Sequence, residues 1–489
     1  MKLKMFGSLV ILLLLLGAVS ASAQTDQVRD PDLGMPTTPP EKWDASEPDT
    51  IDWDQTHRSA LTDTFIVKKN FTRTAVEVVG LNTLIWFYDR YIREGGTNPG
   101  FRIGFNSMSE NLTNGFEWDD NNFATNQFAH PYHGSLYFNA ARSNGYTFWE
   151  SVPFTFAGSY LWEFFFEVHH PSMNDWVATS FGGITVGEML HRLSMTVRDN
   201  TATGSSRNWR EVGGMLINPM AGLNRLMDGD WGRVHANSPD RYPDNFRSQM
   251  DVGFRTVADE QLWSTDTTRV YMKFDFEYGD VFFGDMDKPF DFFDMDLQLN
   301  FSDVSLIGRV DVNGLLGGTF LKEADHASHI LAGFTRFDYI NNSKVEFGSQ
   351  SLGAGFMSRF ETVSGLEMRT ELHTNVIILG ANKSDYRSTS GRTYDYGPGA
   401  CVDFVAKFGR NGWYYLQFSH TQNWIHAVNG NIADHYLGES VVRLDLPIRF
   451  NLGLGLEYRL INSERTYRDY PDVSERIPEL RVTTTWLLN

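Results

Sequence analysis

Residues that could carry out catalysis are concentrated between Trp118 and Arg192. Three pairs of ionisable residues in this stretch have the spacing of neighbours on one face of a helix: His130 with His133, Glu163 with Glu167, and Glu188 with His191. Three helices could therefore present three polar pairs to a common centre, with Asp175 beside them. Imidazoles and carboxylates together suit acid–base catalysis or a divalent metal ion. The predicted catalytic residues are His130, His133, Glu163, Asp175, Glu188 and His191.

Five further polar residues of this stretch are predicted to bind a substrate or to orient the catalytic groups: Asn126, Tyr137, Arg142, Asn174 and Arg192. The alternative is a structural network in which each polar residue has a local role. In that case Glu188 pairs with Arg192 one helical turn away. Asp175 then caps its own helix, and Glu163 neutralises Arg142. The spacing alone leaves both alternatives open.

The sequence does not identify a metal or a cofactor. It has no His-Glu-x-x-His motif and a single cysteine, Cys401, so a zinc site would depend on residues that converge only in space. Ser135, Ser151 and Ser172 are not part of a Gly-x-Ser-x-Gly motif. The glycines at 182, 183 and 187 resemble a small-residue patch, which lets two helices approach closely. They lack the lysine of a phosphate-binding loop.

Several short motifs follow one another in this stretch: His-Pro-Tyr-His-Gly from His130, Trp-Glu at Trp162, Pro-Ser-x-Asn-Asp from Pro171 and Gly-Glu at Gly187. In these motifs and their order, residues 115–200 resemble the bacterial envelope family catalogued as domain of unknown function 3943. The resemblance implies that the polar residues belong to one group. It brings no established activity with it.

The apolar residues from about 64 to 231 recur every three to four positions, which indicates helices. Five such stretches can be marked, near residues 75–88, 131–144, 153–168, 173–198 and 209–227. Pro131 suits a first helical turn, and Asn144 followed by Gly145 suits a helix end. The sequence therefore predicts a helical domain of about five helices at residues 64–231.

After about Gln249 the apolar period changes to two and stays so to the last residues. The clearest run, Val442 to Leu460, is either one long strand or two strands joined by a turn. About twelve segments alternate in this way, many near the ~10 residues of a tilted transmembrane strand. The predicted fold class is α+β, with the helical domain followed by an antiparallel transmembrane β-barrel of about twelve strands at residues 250–489. A soluble β-domain is the alternative.

The composition excludes several classes of protein. Asp and Glu outnumber Lys and Arg by 61 to 42, and the net charge of -19 argues against a nucleic-acid partner. Mean hydropathy is -0.33, and the apolar runs are shorter than the ~20 residues of a membrane-spanning helix. A polytopic helical membrane protein is therefore excluded. One cysteine also excludes an internal disulfide.

Residues 1–23 have the three parts of a secretory signal peptide, and residues 24–63 form an acidic, proline-rich stretch predicted to be a flexible linker. The predicted location is the outer membrane of a Gram-negative bacterium. The helical domain is expected on the periplasmic side, at the mouth of the barrel, or in the barrel lumen. The expected partners are outer-membrane lipid and the barrel-assembly machinery. The oligomeric state does not follow from the sequence.

Two functions fit these features. The first is an envelope enzyme, a hydrolase or transferase acting on a lipid or glycolipid, because the polar cluster lies among aromatic residues in a protein addressed to a membrane. The second is a non-catalytic transport or scaffold barrel that the helical domain gates or plugs. An enzyme requires that the polar side chains converge beside an open cleft. A scaffold requires a sealed and fully paired network.

Overall fold

The computed structural model of the chain describes residues 68–489, except 239, 240, 242, 244, 258–267, 285, 302, 325, 390, 411 and 489 and the side chains of 94 and 95. The predicted signal peptide at 1–23 and the predicted linker at 24–63 lie outside the described residues. The described chain begins with a helical unit and continues into a β-barrel, whose first strand starts at Phe246.

The described part of the helical unit contains eight α-helices and two π-helices: α1 Phe71–Tyr91, α2 Phe105–Asn114, a π-helix Thr125–Ala129 that continues into α3 His130–Ser143, α4 Phe148–Phe165, α5 Met173–Val177, a π-helix Ala178–Gly182 that continues into α6 Gly183–Val197, α7 Gly204–Ile217, and α8 Pro219–Met227. None of these described helices combines the length with the hydropathy that a membrane-spanning helix requires.

The helices differ from the predicted five at three places, the first being the stretch predicted at 173–198, where the π-helix Ala178–Gly182 separates α5 from α6. Helix α2 was not predicted, because its Asn and Ser residues are poor helix formers and give a weak signal. The stretch predicted at 209–227 is two helices, since Pro219 has no backbone N–H to donate and cannot continue α7. Asn218 instead caps α8, and its side chain accepts a hydrogen bond from the backbone N–H of Ala221.

Twelve antiparallel strands close into a barrel: β1 Phe246–Val257, β2 Thr268–Tyr278, β3 Phe293–Phe301, β4 Ile307–Lys322, β5 Ala327–Asn341, β6 Glu346–Glu361, β7 Glu367–Lys383, β8 Tyr394–Arg410, β9 Trp413–His426, β10 Ala433–Arg449, β11 Leu452–Tyr467 and β12 Val473–Leu487. The predicted fold class is confirmed. The run from Val442 to Leu460 is two strands, β10 and β11, joined at Phe450 and Asn451. The end of the barrel at which β1 begins and β12 ends is called the terminal end below. The opposite end, which carries the connections between β7 and β8 and between β11 and β12, is called the loop end.

In the middle of the barrel, charged residues of the strands point into the lumen and apolar residues point outwards, whereas toward both ends apolar strand residues such as Leu437 and Phe334 also point inwards. In the paired strands β10 and β11, Leu444 lies opposite Leu456, and the two side chains are 43% and 45% exposed. The next pair in register, Arg443 with Glu457, is buried and lines the lumen. This alternation is that of an outer-membrane-type barrel, whose outer face meets lipid and whose interior is polar.

The lumen is crossed by ion pairs that join distant strands. Arg309 on β4 lies 2.7 Å from Glu439 on β10, on the opposite wall of the ring of twelve. Arg369 on β7 likewise reaches Glu277 on β2 at 3.1 Å. At the terminal end, apolar residues of the connection between β2 and β3, including Phe282, pack against strand residues. The described lumen retains cavities of about 230 and 30 Å³, and the second has a lining that is partly apolar, as at Leu437 and Ile461.

The helical unit packs on the outer wall of the barrel. Phe274 and Phe276, outward residues of β2, are each 2% exposed. They belong to one apolar cluster with residues of α6 such as Leu190 and Leu193. Their neighbour along β2, Lys273, lines the lumen. The contact between the helices and the barrel therefore uses the apolar face of the strands.

This arrangement differs from the predicted one, in which the helical domain lies at the barrel mouth or in the lumen. The predicted place at the mouth or in the lumen is wrong, because the helices bury an apolar stripe against the apolar outer wall, whereas the middle of the lumen offers charged side chains. The periplasmic side of the membrane stays a prediction for the helical unit. The packing is close at β6. A Cβ atom at Gly348 would lie 2.5 Å from the Oε1 atom of Gln127. The helical unit thus covers part of the wall that would otherwise face lipid.

Candidate functional site

Three of the predicted catalytic residues meet at one point of the helical unit. His130 is the first residue of α3, Glu163 lies in the last turn of α4, and Asp175 lies in α5. One donor atom from each residue lies within 4.8 Å of the donor atoms of the other two. The Nε2 atom of His130 is 3.6 Å from the Oδ2 atom of Asp175. These three residues are called the central cluster below.

A close contact between two helices brings the central cluster together. A Cβ atom at Gly134 in α3 would lie 1.8 Å from the carbonyl oxygen of Thr179. One at Gly183, where α6 begins, would lie 2.5 Å from the carbonyl carbon of Gly134. Residues with a side chain cannot be accommodated at these distances without a shift of backbone. The prediction that the glycines at 182–187 serve helix packing agrees with this contact.

Each residue of the central cluster is oriented by a hydrogen bond: the Nδ1 atom of His130 lies 3.2 Å from Thr179 Oγ1, the Nδ2 atom of Asn174 donates to Asp175 Oδ1 at 2.8 Å, and the backbone N–H of Ser172 donates to Glu163 Oε2 at 2.8 Å. When Nδ1 of His130 donates its proton to Thr179, the lone pair of Nε2 faces Asp175. The other oxygen of Glu163 remains for a proton or a cation, and Asp175, which also accepts a hydrogen bond from the Ser172 side chain, directs its Oδ2 atom towards His130.

His133 lies one helical turn after His130 and is held by Tyr137. Its Nε2 atom is 2.7 Å from the Tyr137 hydroxyl, which donates in turn to the side-chain oxygen of Asn82. The ring of Trp162 packs edge-on against the imidazole, with 5.2 Å between the ring centroids. Tyr137, predicted as a binding residue, therefore orients a predicted catalytic one.

Burial determines the protonation of these groups. Burial, with the neighbouring carboxyls of Glu167 and Asp175, raises the pKa of Glu163 well above its usual value. Burial also raises the pKa of Asp175 well above its usual value. It raises the pKa of Glu167 to about 7, and burial beside His130 lowers the pKa of His133 to about 3. At neutral pH, Glu163 and Asp175 therefore each hold a proton or pair with a cation.

An open cleft with a volume of about 600 Å³ lies beside the central cluster. It is lined by imidazole and carboxylate side chains: His130, His133, Asp119, Glu167, His169 and His170 among them. Glu163 and Asp175 do not line it and are 2% and 3% exposed. Solutes can therefore reach the two predicted catalytic histidines, while the two carboxyls of the central cluster lie deeper.

The barrel holds this part of the helical unit near its loop end. Asn126 donates to the hydroxyl of Tyr394 at 3.0 Å, and Asn174 donates to the hydroxyl of Tyr396 at 3.3 Å. Both tyrosines lie at the start of β8. Arg392 adds a hydrogen bond of 2.7 Å to a backbone carbonyl of the cleft. Asn126 and Asn174, predicted as binding residues, thus join the site to the barrel and do not line the cleft.

Four other predicted residues form a separate cluster. Glu188 is fully buried and lies 2.7 Å from Arg142 and 3.0 Å from Arg192. Arg192 also donates to the backbone of the connection between β2 and β3, at 2.9 Å. His191 lines another cavity, of about 360 Å³. The structural network considered as the alternative fits these residues, although Arg142 pairs with Glu188 and not with Glu163.

Glu167, Asp119 and Thr179 contribute to the site and are absent from the predicted set. Glu167 accepts a hydrogen bond from Trp162 Nε1 at 2.8 Å, and its spacing from Glu163 is the signal that pointed to it. Asp119 lies in a segment without helical periodicity, and Thr179 lies in an apolar stretch. Neither position carries a signal in the sequence.

Comparison with known proteins finds similarity in two parts of the chain. The barrel is similar to solved structures that include the NanC porin (11% identity, 48% of this chain and 98% of that chain, TM-score 0.27). They also include the outer membrane channel DcaP of Acinetobacter baumannii (10% identity, 50% of this chain and 96% of that chain, TM-score 0.22). These TM-scores are too low to support an inference about this chain. No curated protein matches the sequence. Residues 115–220, which contain the central cluster, match the family model described as Domain of unknown function (DUF3943).

Proposed function

We propose that this protein is an outer-membrane enzyme, a hydrolase or transferase, that acts on a lipid or glycolipid at the membrane surface. The observation that carries the proposal is the convergence of His130, Glu163 and Asp175 beside an open cleft of about 600 Å³. A cluster that served only to hold helices together would be sealed and paired, as Glu188 is with its arginines.

The cleft offers the groups that hydrolysis or group transfer requires. Glu167 lines the cleft, and its pKa of about 7 suits a group that both accepts and donates a proton near neutral pH. His133, one turn from His130, lines the same cleft and is fixed in orientation by Tyr137. We assign proton transfer to Glu167 and substrate positioning to His133.

Helix α1 exposes apolar side chains and buries polar ones, which fits a lipid substrate. Four of its polar residues, Thr74, Glu77, Asn82 and Asp89, are buried, whereas its exposed large side chains are apolar: Phe71, Val76, Val79, Leu84, Phe87, Tyr88 and Tyr91. Exposed apolar surface of this extent on a helix is typical of a contact with lipid or with another protein. We favour lipid, because the helical unit is docked on the wall of a barrel whose remaining outer face is apolar too.

The cleft would lie at the edge of the bilayer, near the loop end. On β11 the exposed outward residues near the terminal end are apolar, as at Leu456 and Tyr458. Toward the loop end they become polar, as at Asn462 and Glu464. The cleft is tied to the barrel at the loop-end start of β8, where Tyr394 lies. A substrate with its acyl chains in the bilayer could thus place its polar head in the cleft.

The lipid reaction can be tested with the purified full-length protein in vesicles. We expect mass spectrometry to detect a cleaved or transferred product from vesicles that contain phospholipid or lipopolysaccharide. Loss of a positioned acid–base group removes a factor of ~10²–10⁴ in rate, so Glu167→Gln should reduce product formation at least ~100-fold. His329→Ala, at the terminal end of β5, is the matched control and should keep full activity. Absence of product from both lipids would exclude this proposal.

The transport alternative makes a different prediction, which planar-bilayer recordings can check. Because ion pairs such as Arg309 with Glu439 join opposite walls of the lumen, we expect the wild-type barrel to show no porin-sized conductance steps. Heat-modifiable migration on gels would verify that the inserted protein is folded. Stable, porin-sized openings from folded protein would favour a transport barrel instead.

A further inference from the structure

We propose that the central cluster, His130, Glu163 and Asp175, binds one divalent transition-metal ion, Zn²⁺ or Mn²⁺. This inference deepens the proposed function, and the catalytic role of the ion rests on it. The geometry comes first. Three different helices each supply one ligand atom, and the three atoms lie within 4.8 Å of one another. A small inward movement of each side chain would bring all three to the ~2.0–2.2 Å from a common centre that nitrogen and oxygen ligands of zinc adopt.

The charge balance of the helical unit supplies a second, independent observation. Glu188 and Glu211 are fully buried, and each is paired with at least two arginines. Within the described residues, by contrast, no arginine or lysine forms an ion pair with Glu163. The ion pair that Asp175 forms among these residues is with His130, at 3.6 Å, and the charge of Arg392 acts on Asp175 from beyond ion-pair distance. A buried carboxyl group holds a proton, pairs with a cation or coordinates a metal, and the central cluster has no arginine or lysine in direct contact of the kind that Glu188 and Glu211 have.

The hydrogen bonds around the cluster are those of a metal site. A histidine ligand usually donates its second ring N–H to an oxygen, which fixes the tautomer and aims the free nitrogen at the ion. Thr179 Oγ1 provides that oxygen for His130. One oxygen of Glu163 is held by the backbone N–H of Ser172, and Asp175 is held by the side chains of Asn174 and Ser172 while its Oδ2 atom faces His130. The site is thus arranged in advance for three ligands, with further positions that water from the cleft can occupy.

The donor set selects the kind of metal. Imidazole favours Zn²⁺ and its transition-metal neighbours, whereas carboxylates favour Mg²⁺, Ca²⁺ and Mn²⁺. One imidazole with two carboxylates therefore suits Zn²⁺ or Mn²⁺ better than Ca²⁺, which prefers six to eight oxygen ligands. Three protein ligands with an open position are typical of catalytic metal sites, where the ion makes bound water more acidic. Beside Glu167, such a water could serve the proposed hydrolysis.

The test is a measurement of bound metal that does not need activity. Full-length protein in detergent is stripped with a chelator, dialysed against micromolar Zn²⁺ or Mn²⁺, and analysed by mass spectrometry of the elements. We expect about one ion per chain for the wild type. Glu163→Gln and Asp175→Asn should each lower the affinity at least ten-fold, while heat-modifiable migration and circular dichroism verify folding. Thr179→Val, which keeps all three ligands, should lower it by a factor of ~10–100.

Glu110→Gln is the matched control. Glu110 is an exposed carboxylate that lines the same cleft, so its removal should leave one bound ion. If Glu110→Gln and Glu163→Gln reduce the bound metal equally, cations are only loosely attracted to an acidic cleft, and the proposal is overturned. A folded wild type that binds no ion would overturn it as well. A metal-loaded protein without lipid activity would contradict the proposed function alone. Lipid activity in a metal-free protein would contradict the catalytic role of the ion and leave the proposed function standing.

Discussion

We expect Glu188→Ala to destabilise the helical unit by ~3–5 kcal/mol, because removing one partner of a buried ion pair leaves an uncompensated charge. Glu188 is fully buried and contacts both Arg142 and Arg192. Its loss would leave two arginines that are 12% and 4% exposed without their carboxylate. Thermal unfolding followed by circular dichroism at a helix-sensitive wavelength measures the effect, and migration on gels reports separately on the barrel.

The same substitution at Glu110, an exposed residue of α2, is the control and should change stability by less than ~0.5 kcal/mol. The sequence alone placed Glu188 among the catalytic residues. If that assignment is correct, Glu188→Ala will abolish lipid activity and leave the unfolding temperature of the helical unit unchanged. A loss of stability with a parallel loss of all functions is the outcome that the structure predicts.

The barrel could be predicted because its strands alternate between two different surroundings. Arg443 and Leu444 are neighbours in sequence, and one faces the lumen while the other is exposed on the outside. What covers the outer face could not be predicted in this way. Phe276 is covered by helices and Leu456 is exposed, yet each is an apolar residue in an alternating strand. Both lipid and a packed helix favour apolar side chains on the strand, so the sequence does not distinguish the two.

The sequence predicted only part of the candidate site, because spacing within one helix does not show how that helix packs against another. Spacing of three or four shows which residues share a face of one helix, and His130 with His133 do line one cleft. It does not show where two helices touch. Helices α3 and α6 run in parallel with Gly134 against Gly183. His130 lies before this contact and Glu188 after it, so the two residues fall into different clusters.

The contact between α3 and α6 at Gly134 gives the second prediction with a large effect on stability. We expect Gly134→Ala to destabilise the helical unit by ~3 kcal/mol, the upper part of the range for an overpacked core. The added methyl group would lie 1.8 Å from the carbonyl oxygen of Thr179. Since that oxygen belongs to backbone and not to a flexible side chain, the two helices must separate. Thermal unfolding in detergent, followed by circular dichroism, measures the change.

Gly80→Ala in α1 is the control, because the same methyl group would meet no atom within 4 Å there. Alanine is the better helix former, so this change should raise stability by ~0.5–1 kcal/mol. If Gly134→Ala lowers the stability and Gly80→Ala raises it, close packing, and not helix propensity, is the reason for glycine at 134. Equal effects would mean that α3 and α6 are not held as described. Because Thr179 also orients His130, separation of the helices should weaken metal binding even in molecules that remain folded.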